Sequence, residues 1–187
     1  VSLRGIERKM MEEIICAGFG GQGILLMGKL LAYSAMKMGR HATWLPSYGA
    51  EVRGGTAHCM VVVSEEEIAS PLVNYPSSAI IMNNPSWIKF TGKVQKGGLI
   101  VVNTTLAVLD SVRDDVRIIK IPATDIASEL GNVRVSNMVA LGRYLAATNL
   151  IPLNEIIAAL RDMLPEDKKG LLAINEKAVA KGWEWVK

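Results

Sequence analysis

Hydrophobic positions along the first third of the chain change their period twice. Residues 13–18 are a short, almost continuous apolar run built on Ile14, Ile15 and Cys16, which predicts a buried strand. Residues 24–38 are long, rich in Leu, Met and Ala, and stop at Gly39, which predicts a helix with a glycine C-terminal cap. Residues 41–45 read as a second strand ended by Pro46, and the β-branched residues 56–63 as a long third strand. Further strands are predicted at 78–82, 98–103 and 117–122. Between the first two of these, residues 84–96, with Pro85 near their start, form a short helix or turn. Residues 123–130, stopped by Gly131, form another short helix.

From Ser136 onward the pattern is helical throughout. Ser136 is the expected N-cap of a helix over 137–148, and Pro152 opens the next. There Leu153, Ile156, Ile157, Leu160 and Leu164 recur at spacings of three and four. A last helix is predicted over 166–181. Beyond it, Trp183 and Trp185 either pack on the chain's own core or dock on something else. Strands alternating with helices predict an α/β fold: three layers, a mostly parallel sheet with helices on both faces, and a helical C-terminal third. The expected organisation is a single domain, 1–187, with 136–187 packed on it as a helical part. No internal repeat or low-complexity stretch interrupts it.

Composition narrows the function. Half the residues are apolar but only 5% are aromatic, and mean hydropathy is +0.25. Such an excess means either a dense Ala/Val core or surface hidden against partner subunits. The net charge of +3 comes without the clustered Lys and Arg of a nucleic-acid surface. No apolar run reaches the roughly 18 residues of a membrane span, and Gly28 and Lys29 break the longest. Arg4, Glu7, Arg8, Lys9 and Glu12 leave the first dozen residues without the apolar region of a signal peptide, so a cytoplasmic chain is expected. Cys16 and Cys59 lack CxxC spacing and read as buried apolar thiols; an iron–sulfur cluster would need four thiolates.

Gly18, Gly20 and Gly23 form G-x-G-x-x-G between a strand and a helix, the context of a dinucleotide site. That site also needs an Asp or Glu about 20 residues on, for the ribose hydroxyls. No Asp or Glu occurs between Glu13 and Glu51, where Lys29, Lys37 and Arg40 stand instead. A stand-alone nicotinamide dehydrogenase therefore lacks its specificity element and remains the rival reading. The amides of Gly20, Gly21, Gln22 and Gly23 at a helix N-terminus suit a phosphate, with the Gln22 side chain as a further donor. The plainer alternative is a tight turn in which glycine only permits close packing.

The second loop, Ser47-Tyr48-Gly49-Ala50-Glu51-Val52-Arg53-Gly54-Gly55, follows the second predicted strand and is expected to face the glycine turn across one crevice. Arg53 beside Gly54 and Gly55 offers a fork of donors next to exposed amides, suited to phosphate or carboxylate. Glu51 lies two residues away and pairs with Arg53 unless a ligand or partner takes it. His41 and His58 are lone histidines read as structural. No general base, Ser–His–Asp set or metal-ligand spacing is present.

The segments Cys16-Ala17-Gly18-Phe19-Gly20-Gly21-Gln22-Gly23 and Pro46–Ala57 together resemble gamma subunits of 2-oxoacid:ferredoxin oxidoreductases, most like the 2-oxoglutarate/ketoisovalerate type. The resemblance runs on through Ser70-Pro71, Met82-Asn83-Asn84-Pro85, Gly97-Gly98 and Asn137-Met138-Val139-Ala140-Leu141-Gly142, and includes Asn175, Ala178 and Gly182. Ala50 stands where many relatives have Pro. The resemblance implies a fold like the gamma domain of pyruvate:ferredoxin oxidoreductase. It also implies a complex that decarboxylates a 2-oxoacid to an acyl-CoA and reduces ferredoxin. Thiamine diphosphate and iron–sulfur clusters are then held by alpha, beta and ferredoxin-like delta subunits. This chain binds no cofactor alone and contributes Gly20, Gly21, Gln22, Gly23, Ser47, Tyr48, Arg53, Gly54 and Gly55 to a shared coenzyme A site. Subunits of pyruvate or indolepyruvate oxidoreductases, and a phosphate-binding regulatory module, are the other readings.

Overall fold

The computed structural model describes residues 10–48, 56–110 and 113–186. β1 (Met11–Phe19) runs into α1 (Ile24–Lys37), followed by β2 (His41–Tyr48) and β3 (Thr56–Ser64). β4 (Ser78–Ile81), α2 (Asn84–Phe90), β5 (Leu99–Asn103) and β6 (Arg117–Ile121) come next. The chain then turns helical: α3 (Ala123–Glu129), α4 (Ser136–Thr148), α5 (Leu153–Met163) and α6 (Leu172–Glu184).

The strands form one six-stranded sheet in the order β2-β3-β1-β4-β5-β6. β1, β4, β5 and β6 pair in parallel, whereas β3 is antiparallel to both β1 and β2. Five of the six strands thus point the same way, which is the mostly parallel sheet expected. The antiparallel β3 between β1 and β2 is the departure. Only seven positions separate Tyr48 from Thr56, too few for the roughly dozen-residue crossover that a parallel pair needs. β2 also continues through Pro46 to Tyr48, past its predicted end, with Pro46 opposite Cys59. β2 is an edge strand, where a proline nitrogen can face away from the ladder.

Alternation along the strands divides the core in two. Ile14, Cys16, Val61, Ile80, Val101 and Ile119 face one side, under α1 and α3 to α6. Ile15, Ala17, Val62, Ile81, Ile100 and Val102 face the other, under α2 and the connecting segments that carry Val73 and Ala107. Helices cover both faces, unequally.

The tightest helix contact is between α4 and α6. A Cβ on Gly142 would overlap Val179 O, and one on Gly182 would overlap Val139 O. Gly182 therefore lies within α6, allowing close approach instead of ending the helix, and α6 runs on to Glu184. A 3-10 segment, Glu166–Leu171, precedes it and takes the place of the predicted helical start. Trp183 and Trp185 pack against the main core, the first of the two alternatives open for them. Ser136 is not a cap: Asn132 accepts the Arg134 N–H and starts a 3-10 turn, Val133–Val135, that leads straight into α4. No helix among the described residues is long and apolar enough to cross a membrane.

Candidate anion-binding site

Two turns leave the sheet along the same edge. β1 and β2 both run antiparallel to β3, so their C-terminal ends lie together. Phe19 is opposite Thr56, and Tyr48 is opposite Ala57. The strand ends leading into the two loops are thus about two strand spacings, or about 10 Å, apart. Arg53, Gly54 and Gly55 lie outside the described residues, as do Gly49, Ala50, Glu51 and Val52.

The glycine turn is closed by its own side chain. Gln22 N–H donates to Phe19 O at 3.2 Å, and Phe19 N–H donates to Gln22 Oε1 at 2.7 Å. Gly21 and Gly23 have φ of 91° and 70°, the left-handed region that glycine enters without penalty. Gly23 is the N-cap of α1 and offers no side-chain cap. The N–H groups of Ile24, Leu25 and Leu26 thus lack an intrahelical acceptor, and no acidic residue stands in the first turn. Asn137, from α4, donates Nδ2 to Gly23 O at 3.1 Å and holds the turn from the side. An anion fits such a terminus, where free amides and the helix dipole point outward.

Two of the three cations between Glu13 and Glu51, Lys37 and Arg40, stand away from the turn. Lys37 is at the far end of α1, about 20 Å from Gly23 at 1.5 Å per residue, and pairs with Asp162 at 2.5 Å. Arg40 donates to Leu150 O at 2.6 Å. The terminus itself offers backbone N–H groups and no acidic side chain in its first turn. Ser47 is also set apart: it pairs with His58 in the sheet, and alternation turns both toward the α2 face, away from α1.

His58, expected to be structural, has a buried Nδ1 with no partner among the described residues. Its ring packs on Phe90 at 4.9 Å between centroids. Burial, then the charges of Lys89 and Lys93, hold its pKa below the ordinary value. No sequence signal marks it. Asn137 stood within the resemblance, but its contact with a turn more than a hundred residues earlier was not readable.

The same edge is fastened by asparagines. Asn83 Oδ1 caps α2 by accepting the Ser86 N–H at 2.9 Å. Asn103 Nδ2 donates to Met82 O at 3.2 Å and Thr124 Oγ1 at 2.9 Å. Cys16 lies opposite Cys59, both free and buried. A hydrogen bond with Cys59, then burial, pushes the Cys16 thiol well above its ordinary value. These two thiols do not supply the four ligands of an iron–sulfur cluster. Among the described residues no group of three or more His, Cys, Asp or Glu is placed to hold a metal.

An amide-rich strand-to-helix turn on an α/β sheet is a place where a phosphate fits, but the strand order departs from that of a nicotinamide site. There the strand bearing the ribose-binding acid adjoins the first; here β3 intervenes. Residues 13–185 match the pyruvate ferredoxin/flavodoxin oxidoreductase family, and the chain belongs to that family. It is 39% identical over 174 residues to ketoisovalerate oxidoreductase subunit VorA of Methanothermobacter marburgensis, covering 91% of this chain and 36% of that one. It is 36% identical to 2-oxoglutarate synthase subunit KorC of Methanocaldococcus jannaschii, covering 96% of each. The chain thus spans about a third of the ketoisovalerate relative and nearly all of the 2-oxoglutarate one. Among solved structures, the keto/oxoacid ferredoxin oxidoreductase gamma subunit of Geobacter sulfurreducens superposes with TM-score 0.79 at 26% identity, over 92% of this chain and 96% of that one. The 2-oxoglutarate:ferredoxin oxidoreductase of Magnetococcus marinus, solved with 2-oxoglutarate, coenzyme A and succinyl-CoA, superposes with TM-score 0.86 at 27% identity, over 95% of this chain and 31% of that one.

Proposed function

We propose that the chain is the gamma subunit of a cytoplasmic 2-oxoacid:ferredoxin oxidoreductase, with 2-oxoglutarate as the oxoacid. Its role is to hold part of coenzyme A beside the active site of its partner chains. The observation that carries this reading is the acid-free N-terminus of α1, without a side-chain cap, behind the Gly20–Gly23 turn, in a chain that matches a 2-oxoglutarate synthase subunit over 96% of each. A neighbour of high structural similarity was solved with coenzyme A, whose phosphates are the anions such a terminus takes.

Thiamine diphosphate and iron–sulfur clusters, in alpha, beta and ferredoxin-like delta subunits, supply decarboxylation and electron transfer. This chain's residues bind and orient. Backbone amides of residues 24–26 and the Gln22 side-chain amide take a phosphate, and Arg53, Gly54 and Gly55, outside the described residues, are its proposed further ligands. Asn137 keeps the turn in register. Ser47 and Tyr48 anchor the second loop to β2.

The test is substrate profiling of the assembled complex, with and without coenzyme A. The expected result is coenzyme A-dependent ferredoxin reduction with 2-oxoglutarate preferred over pyruvate, indolepyruvate and ketoisovalerate. Arg53→Ala should raise the apparent KM for coenzyme A about ten- to a hundredfold, the worth of one charge-assisted contact. An Arg53→Ala complex with unchanged KM and turnover removes Arg53 from the site. NADH binding tightly to the isolated chain would replace the whole reading with a dehydrogenase.

A further inference from the structure

The far edge of the sheet carries donors that the α1 terminus does not use. β6 is the last strand in the order and is bonded on one side only, to β5. Arg117 N–H donates to Gly98 O at 2.8 Å, and Ile121 O accepts the Thr104 N–H at 2.9 Å. Residues 117, 119 and 121 thus bond inward, and alternation turns the N–H groups of Ile118 and Lys120 toward the open side.

A cavity of about 420 Å³ opens there, lined by Arg117, Ile118, Ile119, Lys120, Arg143 and Trp185. Arg143 comes from α4 and Trp185 from the C-cap of α6, two helices held together at Gly142 and Gly182. None of Arg117, Lys120 and Arg143 has a carboxylate partner among the described residues. No acid lines this cavity. The two cavities that share a residue with it do carry acids: Glu129 and Glu184 in the one sharing Trp185, and Glu12 in the one sharing Arg117. Arg143 Nε and Trp185 Nε1 are buried with no acceptor among the described residues. Buried donors ordinarily have one, because an unpaired polar group is costly to bury.

We propose that this cavity binds a small dicarboxylate. Each guanidinium is a planar fork that holds one carboxylate through two N–H donors, so Arg117 and Arg143 together take two. Lys120 adds charge and an outward backbone N–H. Ile118, Ile119 and Trp185 supply apolar wall for the carbon chain between the carboxylates, which sets an organic dianion above inorganic phosphate. An acceptor entering beside Arg143 and Trp185 also answers their missing bonds, after a small rotation of either side chain. The volume suits a small ligand. A docked peptide strand is the poorer occupant, because β6 offers only Ile118 and Lys120 to the open side, fewer than a paired strand uses. The site lies at the opposite edge of the sheet from β2 and does not depend on the coenzyme A reading.

The experiment is a proton–nitrogen NMR titration of the full chain with succinate, reading the indole N–H resonances of its four tryptophans. Trp185→Phe identifies the Trp185 resonance by removing it. Succinate should move that resonance saturably, with half-saturation at least about tenfold below that of acetate, the worth of one charge-assisted contact. Arg143→Gln and Arg117→Gln should each weaken succinate about tenfold or more. Arg117 is exposed, so its variant leaves the core intact and carries the test if Arg143→Gln folds poorly. An unmoved Trp185 resonance overturns the site, and so does a shift that both variants reproduce at wild-type affinity. Half-saturation by inorganic phosphate at or below that of succinate overturns the dicarboxylate class.

Discussion

Asn137 and Gly23 lock together two elements more than a hundred residues apart. The Asn137 amide donates to Gly23 O, and a Cβ added to Gly23 would collide with that same amide nitrogen. The turn that exposes the α1 amides is thus fixed from within by Gln22 and from without by α4. Gly23→Ala must adopt a left-handed φ, at a cost of about 1–2 kcal/mol, and displace Asn137 as well. Asn137→Ala alone loses one hydrogen bond, about 0.5–1.5 kcal/mol. Because the second substitution removes the collision, the double variant should be less destabilised than the sum. Chemical denaturation of all three variants checks it; strict additivity would separate the two residues.

The α4–α6 contact should tolerate no side chain. Gly142→Ala and Gly182→Ala each drive a methyl into a backbone carbonyl, where overpacking costs about 1–3 kcal/mol or more. Gly92→Ala, whose Cβ would meet nothing within 4 Å, is the matched control. Thermal melting should lower the first two well below the third.

Stability should fall in alkali. Burial, then the Glu12 charge, raises the Tyr144 phenol well above its ordinary 10.0, and Cys16 is raised well above 9.0. Both groups stay neutral in the fold at pH values where the unfolded chain ionises them. The Cys16 contribution is therefore complete below pH 9.0 and the Tyr144 contribution below 10.0, and each declines above its own value as the unfolded chain ionises. Melting curves across that range should show the decline, and Tyr144→Phe should make it shallower.

His58 should titrate below 6.5, because its folded pKa is lowered by burial and by Lys89 and Lys93. For a neutral-favouring histidine the stabilisation is present above 6.5 and lost as acid protonates the unfolded chain first. Proton NMR of the C2–H resonance measures it directly. Lys89→Ala should move the midpoint upward.

Much of the fold was legible because its signals are local. Gly18 to Gly23 and Gly39 bracket α1 within a residue or so, and the three-and-four spacing from Leu153 finds α5. The direction of β3 was not legible, since alternation in residues 56–63 is the same for either sense, and only the short connection decides it. Pro46 was read as a terminator because edge position is a property of the sheet. Gly182 looked like a helix end because its partner, Val139 O, belongs to another helix. At the site, the glycine turn was readable, but the partners of Lys37 and Arg40 were not, because Asp162 and Leu150 lie more than a hundred residues on.

The central claim is that backbone amides at the α1 N-terminus hold a coenzyme A phosphate, and Gln22→Glu tests it with least disturbance. Glutamate keeps an acceptor for the Phe19 N–H and adds a negative charge that favours the helix itself by about 0.3–1 kcal/mol. Coenzyme A titration of the assembled complex should show its apparent KM raised about tenfold or more, with unchanged turnover at saturation and an undiminished melting temperature. An unchanged KM for coenzyme A in that variant would contradict the account.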